Sequence, residues 1–146
     1  MRTSLRALSV LAATAVATGL AAAPAQAATS WGPTPDGVGQ VWYNAGTHNM
    51  QKGRNSFTVK DNRGGDGWKT FVYYEIYNSR TPTGTGGYNY SNLFTKGWVV
   101  AEDGTEVSRS VLGGTTPTSY IRWVPAKKRV SNGEEKYGSY QHDTVW

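Results

Sequence analysis

The sequence predicts an all-β fold, a single small β-sandwich or barrel of six or seven short antiparallel strands that follows a signal peptide. The chain holds six tryptophans, nine tyrosines and three phenylalanines, which favour strands, and 18 glycines, which disfavour helices. Leu93 and Leu112 are the only leucines after residue 27, too few for a helical core. Short runs that alternate apolar and polar residues are separated by turn residues.

Residues 1–27 have the features of a secretory signal peptide. Two arginines precede an uncharged, alanine-rich stretch at 7–23, and small residues occupy the positions that signal peptidase reads, Ala25 and Ala27. The stretch is interrupted by threonine and glycine and is at the lower length limit for crossing a bilayer. We therefore expect cleavage after residue 27, secretion of the mature chain, 28–146, and no membrane association.

The charge and the absence of cysteine exclude several function classes. The formal net charge of +5 falls to +3 when the two arginines of residues 1–27 are removed, and the basic residues are not clustered as on a nucleic-acid-binding face. The one dense cluster, Lys127-Lys128-Arg129, is interpreted as a solvated turn, so no nucleic acid partner is expected. Without cysteine the chain has no disulfide, no thiol nucleophile and no thiolate metal site.

The segment 28–37 is predicted to be an extended N-terminal arm of low order, because it contains two prolines and two glycines. Trp31 lies in this arm, and a tryptophan in a solvated tail is a candidate docking group. The all-β domain then spans 38–146. Its first strand is predicted at 38–44 and is followed by a polar loop.

The longest predicted strand runs from Trp68 to Tyr77, and it is expected to form a hairpin with the preceding strand, 57–60, across a Gly-rich turn. Successive side chains of a strand point to opposite faces. One face of this strand is apolar and suits a core, whereas the other carries Phe71, Tyr73 and Tyr77 between charged residues. Two interpretations remain open for these three aromatics: a central strand that is covered on both sides, or an exposed aromatic strip used for binding.

The segment 78–97 is predicted to be a long loop, because threonine, glycine, asparagine and serine dominate it. Loops of this length in compact domains tend to be functional or disordered. Tyr88 and Tyr90 alternate with Asn89 and Ser91, a composition typical of adaptable binding loops. These two tyrosines are therefore candidate binding residues.

A tight hairpin is predicted around Asp103-Gly104, a dipeptide that favours two-residue turns with positive φ. Counting outward from this turn places Val100 opposite Val107 and Trp98 opposite Arg109. In this register Trp98, Val100 and Val107 point toward the core, and Arg109 stacks on Trp98. Two further short strands are expected near the C-terminal end, at 120–124 and 141–146.

The sequence offers little support for catalysis or metal binding. His48 and His142 are the only histidines, and nothing in their spacing pairs either one with a carboxylate or an activated serine. The oxygen-rich turn 61–67 lacks the spacing of a calcium-binding loop and is interpreted as a tight turn. We therefore expect a non-enzymatic protein with no catalytic residue, no bound metal and no cofactor.

The stretch 58–74, Thr-Val-Lys-Asp-Asn-Arg-Gly-Gly-Asp-Gly-Trp-Lys-Thr-Phe-Val-Tyr-Tyr, resembles a pattern in small secreted actinobacterial β-rich proteins of mostly unknown function. Some of these resemble the adaptor subunits of secreted umbrella toxin particles, which link a lectin-like subunit to a larger toxin-bearing subunit. The chain departs from many relatives by lacking a cysteine pair. The resemblance implies a non-enzymatic role in protein–protein assembly, with Trp31 in an inserted N-terminal segment.

These observations lead to three hypotheses from different classes. The first is a secreted, non-enzymatic protein that binds an extracytoplasmic protein partner, for example as an adaptor in a secreted toxin assembly. It rests on the excess of tyrosine and tryptophan, which suit interfaces, and on Trp31. The second is a glycan or cell-wall binding module that uses the aromatic strip and the two tyrosines of the long loop. The third is a small secreted nuclease or other hydrolase that uses one of the two histidines.

Overall fold

The structure, a computed structural model, describes residues 29–44, 55–111 and 119–145. Its elements are one short 3₁₀ turn at Pro35–Gly37 and the strands β1 (Thr29–Pro33), β2 (Gly39–Asn44), β3 (Ser56–Asp61), β4 (Trp68–Pro82), β5 (Tyr88–Glu102), β6 (Glu106–Ser110), β7 (Ser119–Arg129), β8 (Glu135–Tyr137) and β9 (Gln141–Val145). No helix in these ranges is long and apolar enough to cross a membrane. The predicted signal peptide and His48 lie outside the described residues.

The strands form two antiparallel sheets that enclose a common core. The four-stranded sheet has the order β1-β2-β3-β6, and the five-stranded sheet has the order β5-β4-β7-β8, with β9 also paired to β7. β7 has two partners on the same side, because its residues 119–123 pair with β9 and its residues 126–128 pair with β8. This architecture confirms the predicted all-β sandwich, with more strands than the six or seven expected.

The core lies between the sheets and is aromatic at its centre. Phe57 of β3 contacts three rings, with centroid distances of 5.0 Å to Tyr43, 5.4 Å to Tyr74 and 5.5 Å to Trp123. Trp123 Nε1 donates to Asp143 Oδ2 at 2.8 Å, so the polar atom of this buried ring has a partner. Around the aromatics pack aliphatic residues of both sheets, Val41, Val59, Val72, Ile76, Val99 and Ile121.

The predicted hairpin between the strands at 57–60 and 68–77 is wrong. β3 pairs with β2 and β6 in the four-stranded sheet, whereas β4 pairs with β5 and β7 in the five-stranded sheet. Residues 61–67 therefore carry the chain from one sheet to the other, with Gly65 and Gly67 at positive φ. The apolar face of a strand points to the core in either case, whether the next strand lies beside it or in the opposite sheet. The alternation of apolar and polar residues therefore could not distinguish a hairpin from a crossing between sheets.

The Asp103-Gly104 turn forms, but the strands on either side of it separate. Both residues have positive φ, and Thr105 N donates to Glu102 O at 3.1 Å. Beyond this point β5 pairs with β4, and β6 pairs with β3. The predicted register, with Trp98 opposite Arg109, is therefore wrong, because the two residues lie in different sheets.

The inside and the outside of β5 are consequently exchanged relative to the prediction. Val99 and Ala101 are buried in the core, and Trp98 and Val100 are exposed. Residues 97–101 are all glycine or apolar, so no alternation indicated which face is buried. Turn chemistry is local, whereas tertiary packing decides which sheet a strand joins.

The chain changes sheet three times, and the first two of these crossings, β3 to β4 and β5 to β6, contact each other. Gly65 N donates to Asp103 Oδ1 at 3.1 Å, and Asp61 N donates to Thr105 O at 2.9 Å. Gly64 lies against the backbone of Asp103, where an added Cβ would be 3.2 Å from the carbonyl oxygen. These two crossings therefore lie at one end of the sandwich and stabilise each other.

The predicted long loop at 78–97 is wrong, because strands occupy most of it. β4 continues to Pro82, β5 begins at Tyr88, and only the short connection 83–87 lies between them. Glycine, asparagine and proline are depleted in strands, and their frequency in this segment suggested a loop. Antiparallel pairing along the whole β4–β5 hairpin outweighs that weak local preference.

Candidate functional site

Five of the six predicted binding residues lie on one surface. Phe71, Tyr73 and Tyr77 project from β4 on the side of the five-stranded sheet that faces away from the core, which we call the outer face. Tyr90 packs on Tyr77 with 4.9 Å between ring centroids, and Tyr88 packs on Tyr90. Both interpretations of the β4 aromatics hold in part, because Phe71 is buried while Tyr73 and Tyr77 are half-buried.

Trp31, the sixth predicted binding residue, lies on the other sheet. Residues 29–33 of the predicted arm form β1, an edge strand paired with β2, rather than a tail of low order. Trp31 is opposite Trp42, whose neighbours Val41 and Tyr43 point into the core, so both tryptophans are on the outside of the four-stranded sheet. Trp31 is 50% exposed, but the structure does not bring it together with the other five residues.

The outer face contains an open cleft of about 480 Å³, which we call the aromatic cleft. Phe71 is its most buried residue, and Trp98 and Tyr137 stand on either side, 65% and 51% exposed. Phe71 and Tyr137 pack edge to face with 6.0 Å between ring centroids. The full lining consists of Lys69, Phe71, Tyr73, Trp98, Val100, Lys128, Glu135 and Tyr137.

Ion pairs border the aromatic cleft at one end. Lys69 pairs with Glu102, and Lys128 Nζ lies 2.9 Å from Glu135 Oε1. The Tyr137 hydroxyl donates to Glu135 Oε2 at 2.5 Å. This hydrogen bond and burial raise the pKa of Tyr137 to about 12, and the hydrogen bonds from Tyr137 and Lys128 lower the pKa of Glu135. At neutral pH the phenol is therefore uncharged and the carboxylate is ionised.

Glu75 lies next to the cleft and connects it to the rest of the outer face. Its carboxylate accepts hydrogen bonds from Tyr73 at 3.0 Å, from Tyr77 at 2.9 Å and from Arg122 Nε at 3.0 Å. Burial raises the pKa of Glu75, but the hydrogen bonds from Arg122 and the two tyrosines outweigh burial and lower it below its ordinary value. Burial and the hydrogen bond to Glu75 raise the pKa of Tyr73 to about 12. We call these four residues the Glu75 network.

The Glu75 network should make stability depend on acidic pH. A carboxylate with a lowered pKa in the folded state stabilises the fold above its unfolded pKa, and the contribution is lost as the pH falls through the folded value. We expect the midpoint of urea unfolding, followed by tryptophan fluorescence, to decrease as the pH falls below about 4.3, the ordinary pKa of glutamate. The Glu75→Gln variant should be less stable at neutral pH and should show a smaller decrease. Equal decreases in both proteins would contradict this role of Glu75.

At its other end the outer face carries a group of arginine, tyrosine and histidine side chains. Arg80 is sandwiched between two rings, with its Cζ 4.2 Å from the centroid of Tyr88 and 4.4 Å from that of Tyr120. Tyr90 stacks on His142 at 5.8 Å, and the Tyr90 hydroxyl shares a hydrogen bond of 2.7 Å with His142 Nδ1. We call these five residues the arginine–tyrosine cluster. It brings together Tyr88 and Tyr90, the two predicted binding residues of the long segment.

The arginine–tyrosine cluster is positively charged. Arg80 forms no ion pair within the part of the chain that the structure describes, whereas the neighbouring Arg122 is paired with Glu75. Burial lowers the pKa of His142, and the nearby Arg122 and Arg80 lower it further, so the imidazole is neutral at neutral pH. The cluster therefore presents one guanidinium that has no carboxylate partner among the described residues and is held between two rings.

The sequence does not reveal several residues that shape the outer face. Trp98 is expected in the core, and its exposure follows only from the true pairing of β5. Tyr137 follows two charged residues in β8. An aromatic residue in such a polar segment indicates an exposed ring, so Tyr137 could have been found from the sequence. The residues next to Arg80 in the sequence do not indicate that it belongs to the site, because its position depends on Tyr88 of β5 and Tyr120 of β7.

Within 29–44, 55–111 and 119–145 no three histidine, aspartate or glutamate side chains are grouped so that they could hold a metal ion. His142, one histidine of the hydrolase hypothesis, shares its hydrogen bond with a tyrosine, and His48 lies outside the described residues. In comparisons with known proteins, no protein-family model, no curated protein and no solved structure matches this chain. Its function is therefore inferred from the geometry of its own residues.

Proposed function

We propose that this chain is a secreted, non-enzymatic protein that binds a partner protein through the aromatic cleft. The main support for the proposal is the exposure of Trp98, which is 65% exposed beside an apolar cleft that contains Phe71. Apolar surface left in water is unfavourable, and tryptophan is enriched among the residues that dominate binding energy at interfaces. An indole in this position is available to a partner without any rearrangement of the core.

The cleft also has the composition expected of the centre of an interface. Phe71, Val100 and Tyr137 give it apolar walls, and the ion pairs of Lys69 and Lys128 lie at its rim. An apolar centre that is surrounded by a charged rim is the usual organisation of protein interfaces. A volume of about 480 Å³ can receive a large side chain of the partner.

The partner in this proposal is an extracytoplasmic protein, because the features of residues 1–27 favour export. The resemblance of residues 58–74 to adaptor-like actinobacterial proteins supports the same class of partner and makes a subunit of a secreted toxin assembly the first one to test. An adaptor needs no catalytic group, and the fixed charge states of Tyr137 and Glu135 suit binding over proton transfer.

The test compares two exposed tryptophans on opposite sheets. Mature wild-type protein, Trp98→Ala and Trp31→Ala are immobilised and exposed to concentrated culture supernatant of the producing organism, and captured proteins are identified by mass spectrometry. For a captured partner we expect Trp98→Ala to weaken affinity by about 30-fold or more, as loss of a dominant interface residue does. Trp31→Ala should change it less than about threefold. Capture of no partner, or equal affinity of Trp98→Ala and wild type, would refute the proposal.

Glycan binding is a second candidate function, and the arginine–tyrosine cluster favours it. Tyrosine rings offer stacking surfaces, and Arg80 and His142 offer polar groups that could fix the orientation of a sugar. Pull-down on insoluble polysaccharides and peptidoglycan tests this function. Retention of wild type that is lost in Tyr88→Ala and kept in Trp98→Ala would establish it at the cluster, and no retention on any of these polymers would remove it.

A further inference from the structure

β5 is a long edge strand whose pairing with β4 is irregular at Leu93–Thr95, and the part that follows, residues 95–102, lacks the usual protection against pairing. It is 15 residues long and, among the described residues, pairs only with β4, so its other side is open. Residues 95–102 contain no proline and only two charged side chains, Lys96 and Glu102. Edge strands of this kind readily pair with another strand unless proline, bulges or clustered charge prevents it.

We propose that two copies of the chain associate by antiparallel pairing of their β5 edges, with Val99 on the two-fold axis. In this register Trp98 lies opposite Val100 of the second copy, and Lys96 lies opposite Glu102 of the second copy. The five-stranded sheets of the two copies then form one continuous sheet. The inference goes beyond the proposed function and does not depend on it.

Two constraints select this register. Directly opposite residues in an antiparallel pair have their side chains on the same face, so registers that place exposed Trp98 opposite buried Val99 are excluded. Among the remaining registers, only the one centred on Val99 places Lys96 opposite Glu102 of the second copy. By symmetry this opposite-charge pair occurs twice.

The charge pattern continues across both copies. Within one copy Glu102 pairs with Lys69, and Lys96 is opposite Glu75, which in turn binds Arg122. The joined sheets therefore carry a row of alternating charge: Lys69 and Glu102 of one copy, followed by Lys96, Glu75 and Arg122 of the second. Opposite charges on neighbouring strands stabilise sheets, and like charges destabilise them.

The same pairing contributes apolar contact. Trp98 is 65% exposed in the single chain, and in the dimer it faces Val100 of the second copy, an aromatic–β-branched pair of the kind that stabilises sheets. A two-fold axis perpendicular to the sheet keeps both outer faces on the same side. The dimer thus presents two aromatic clefts side by side, so a partner with two matching sites would bind with higher avidity.

A charge exchange at Lys96 and Glu102 tests the dimer and its register. Sedimentation velocity of the mature protein over a wide concentration range gives the dissociation constant. We expect wild type to dimerise, and Lys96→Glu and Glu102→Lys each to raise the dissociation constant about tenfold or more, because like charges then meet twice. The double variant, Lys96→Glu with Glu102→Lys, restores both opposite-charge pairs and should recover most of the dimer.

The controls separate this interface from folding and from the proposed function. Arg63→Glu reverses an exposed charge in the turn 61–67 and should leave the dissociation constant unchanged; circular dichroism establishes that every variant folds. Three results would each overturn the inference. The wild type could stay monomeric, the single variants could dimerise as the wild type does, or the double variant could have a dissociation constant as high as those of the single variants. Lys96 neither lines the aromatic cleft nor belongs to the ion pairs at its rim, so partner capture by Lys96→Glu distinguishes failure of the dimer from failure of partner binding.

Discussion

Replacing Phe57 with alanine is expected to lower the free energy of unfolding by about 3–5 kcal/mol. Phe57 is 0% exposed, and its ring contacts Tyr43 from its own sheet and Tyr74 and Trp123 from the other. The substitution leaves a cavity where the two sheets meet, and the large neighbouring rings cannot move far enough to fill it. Urea unfolding followed by circular dichroism measures the loss.

Phe94→Ala is the matched control for this prediction. Phe94 is 37% exposed on β5, so its loss should cost about 1 kcal/mol or less. Domains of this kind are stable by about 5–15 kcal/mol, so Phe57→Leu, which keeps most of the buried volume, is measured as well. A Phe57→Ala protein as stable as Phe94→Ala would show that the core is not organised around Phe57.

Gly39→Ala is expected to destabilise the sandwich by about 1–3 kcal/mol, since overpacking in a filled core forces the surroundings to shift. A Cβ at Gly39 would lie 2.5 Å from Thr70 Cγ2 and 2.7 Å from Lys60 O. Gly39 belongs to β2 and Thr70 to β4, so the added methyl group would strain the contact between the two sheets. Thermal unfolding followed by circular dichroism detects the effect.

Gly84→Ala serves as the control, because Gly84 has no heavy atom within 4 Å of the added Cβ. It should change stability by less than about 0.5 kcal/mol. Adding Thr70→Ala to Gly39→Ala removes the side-chain part of the clash and leaves the contact with Lys60 O, so stability should recover only in part. A Gly39→Ala protein as stable as Gly84→Ala would mean that the sheets are packed less closely at this point.

The fold class and the buried faces of β4 and β7 could be predicted because they depend on local pattern. Thr70, Val72 and Ile76 alternate along β4 and are buried as expected, and Ile121 and Trp123 share the buried face of β7. Strand pairing could not be predicted, because the two turns that suggested hairpins also suit a chain that changes sheet. Whether such a turn forms a hairpin or a crossing depends on how the two sheets pack, and no short segment of the sequence indicates that packing.

The N-terminal segment shows how the same residues can suggest opposite structures. Gly32 and Pro33 led to the expectation of an arm, yet both fit an edge strand. An added Cβ at Gly32 would lie 3.1 Å from Pro125 Cγ, so the glycine permits a close approach of β1 to β7 of the other sheet. Pro33 ends β1, where a missing N–H is tolerated.

The candidate site could be predicted only where aromatics recur at alternate positions. Phe71, Tyr73 and Tyr77 do so on β4, and the structure places them on one face. Trp98 and Tyr137 complete the aromatic cleft, but they come from β5 and β8, which are brought to β4 only by the assembled sheet. A cleft that spans four strands therefore becomes visible only when the order of the strands is known.

The three crossings between the sheets affect how the chain folds. Residues 28–83 contribute β1, β2 and β3 to one sheet and β4 to the other, and residues after 87 contribute β6 to the first and β5, β7, β8 and β9 to the second. A cut in the connection 83–87 would thus give two pieces, neither of which contains a complete sheet. We therefore expect the protein to unfold as a single cooperative unit, because its two halves can complete their sheets only together.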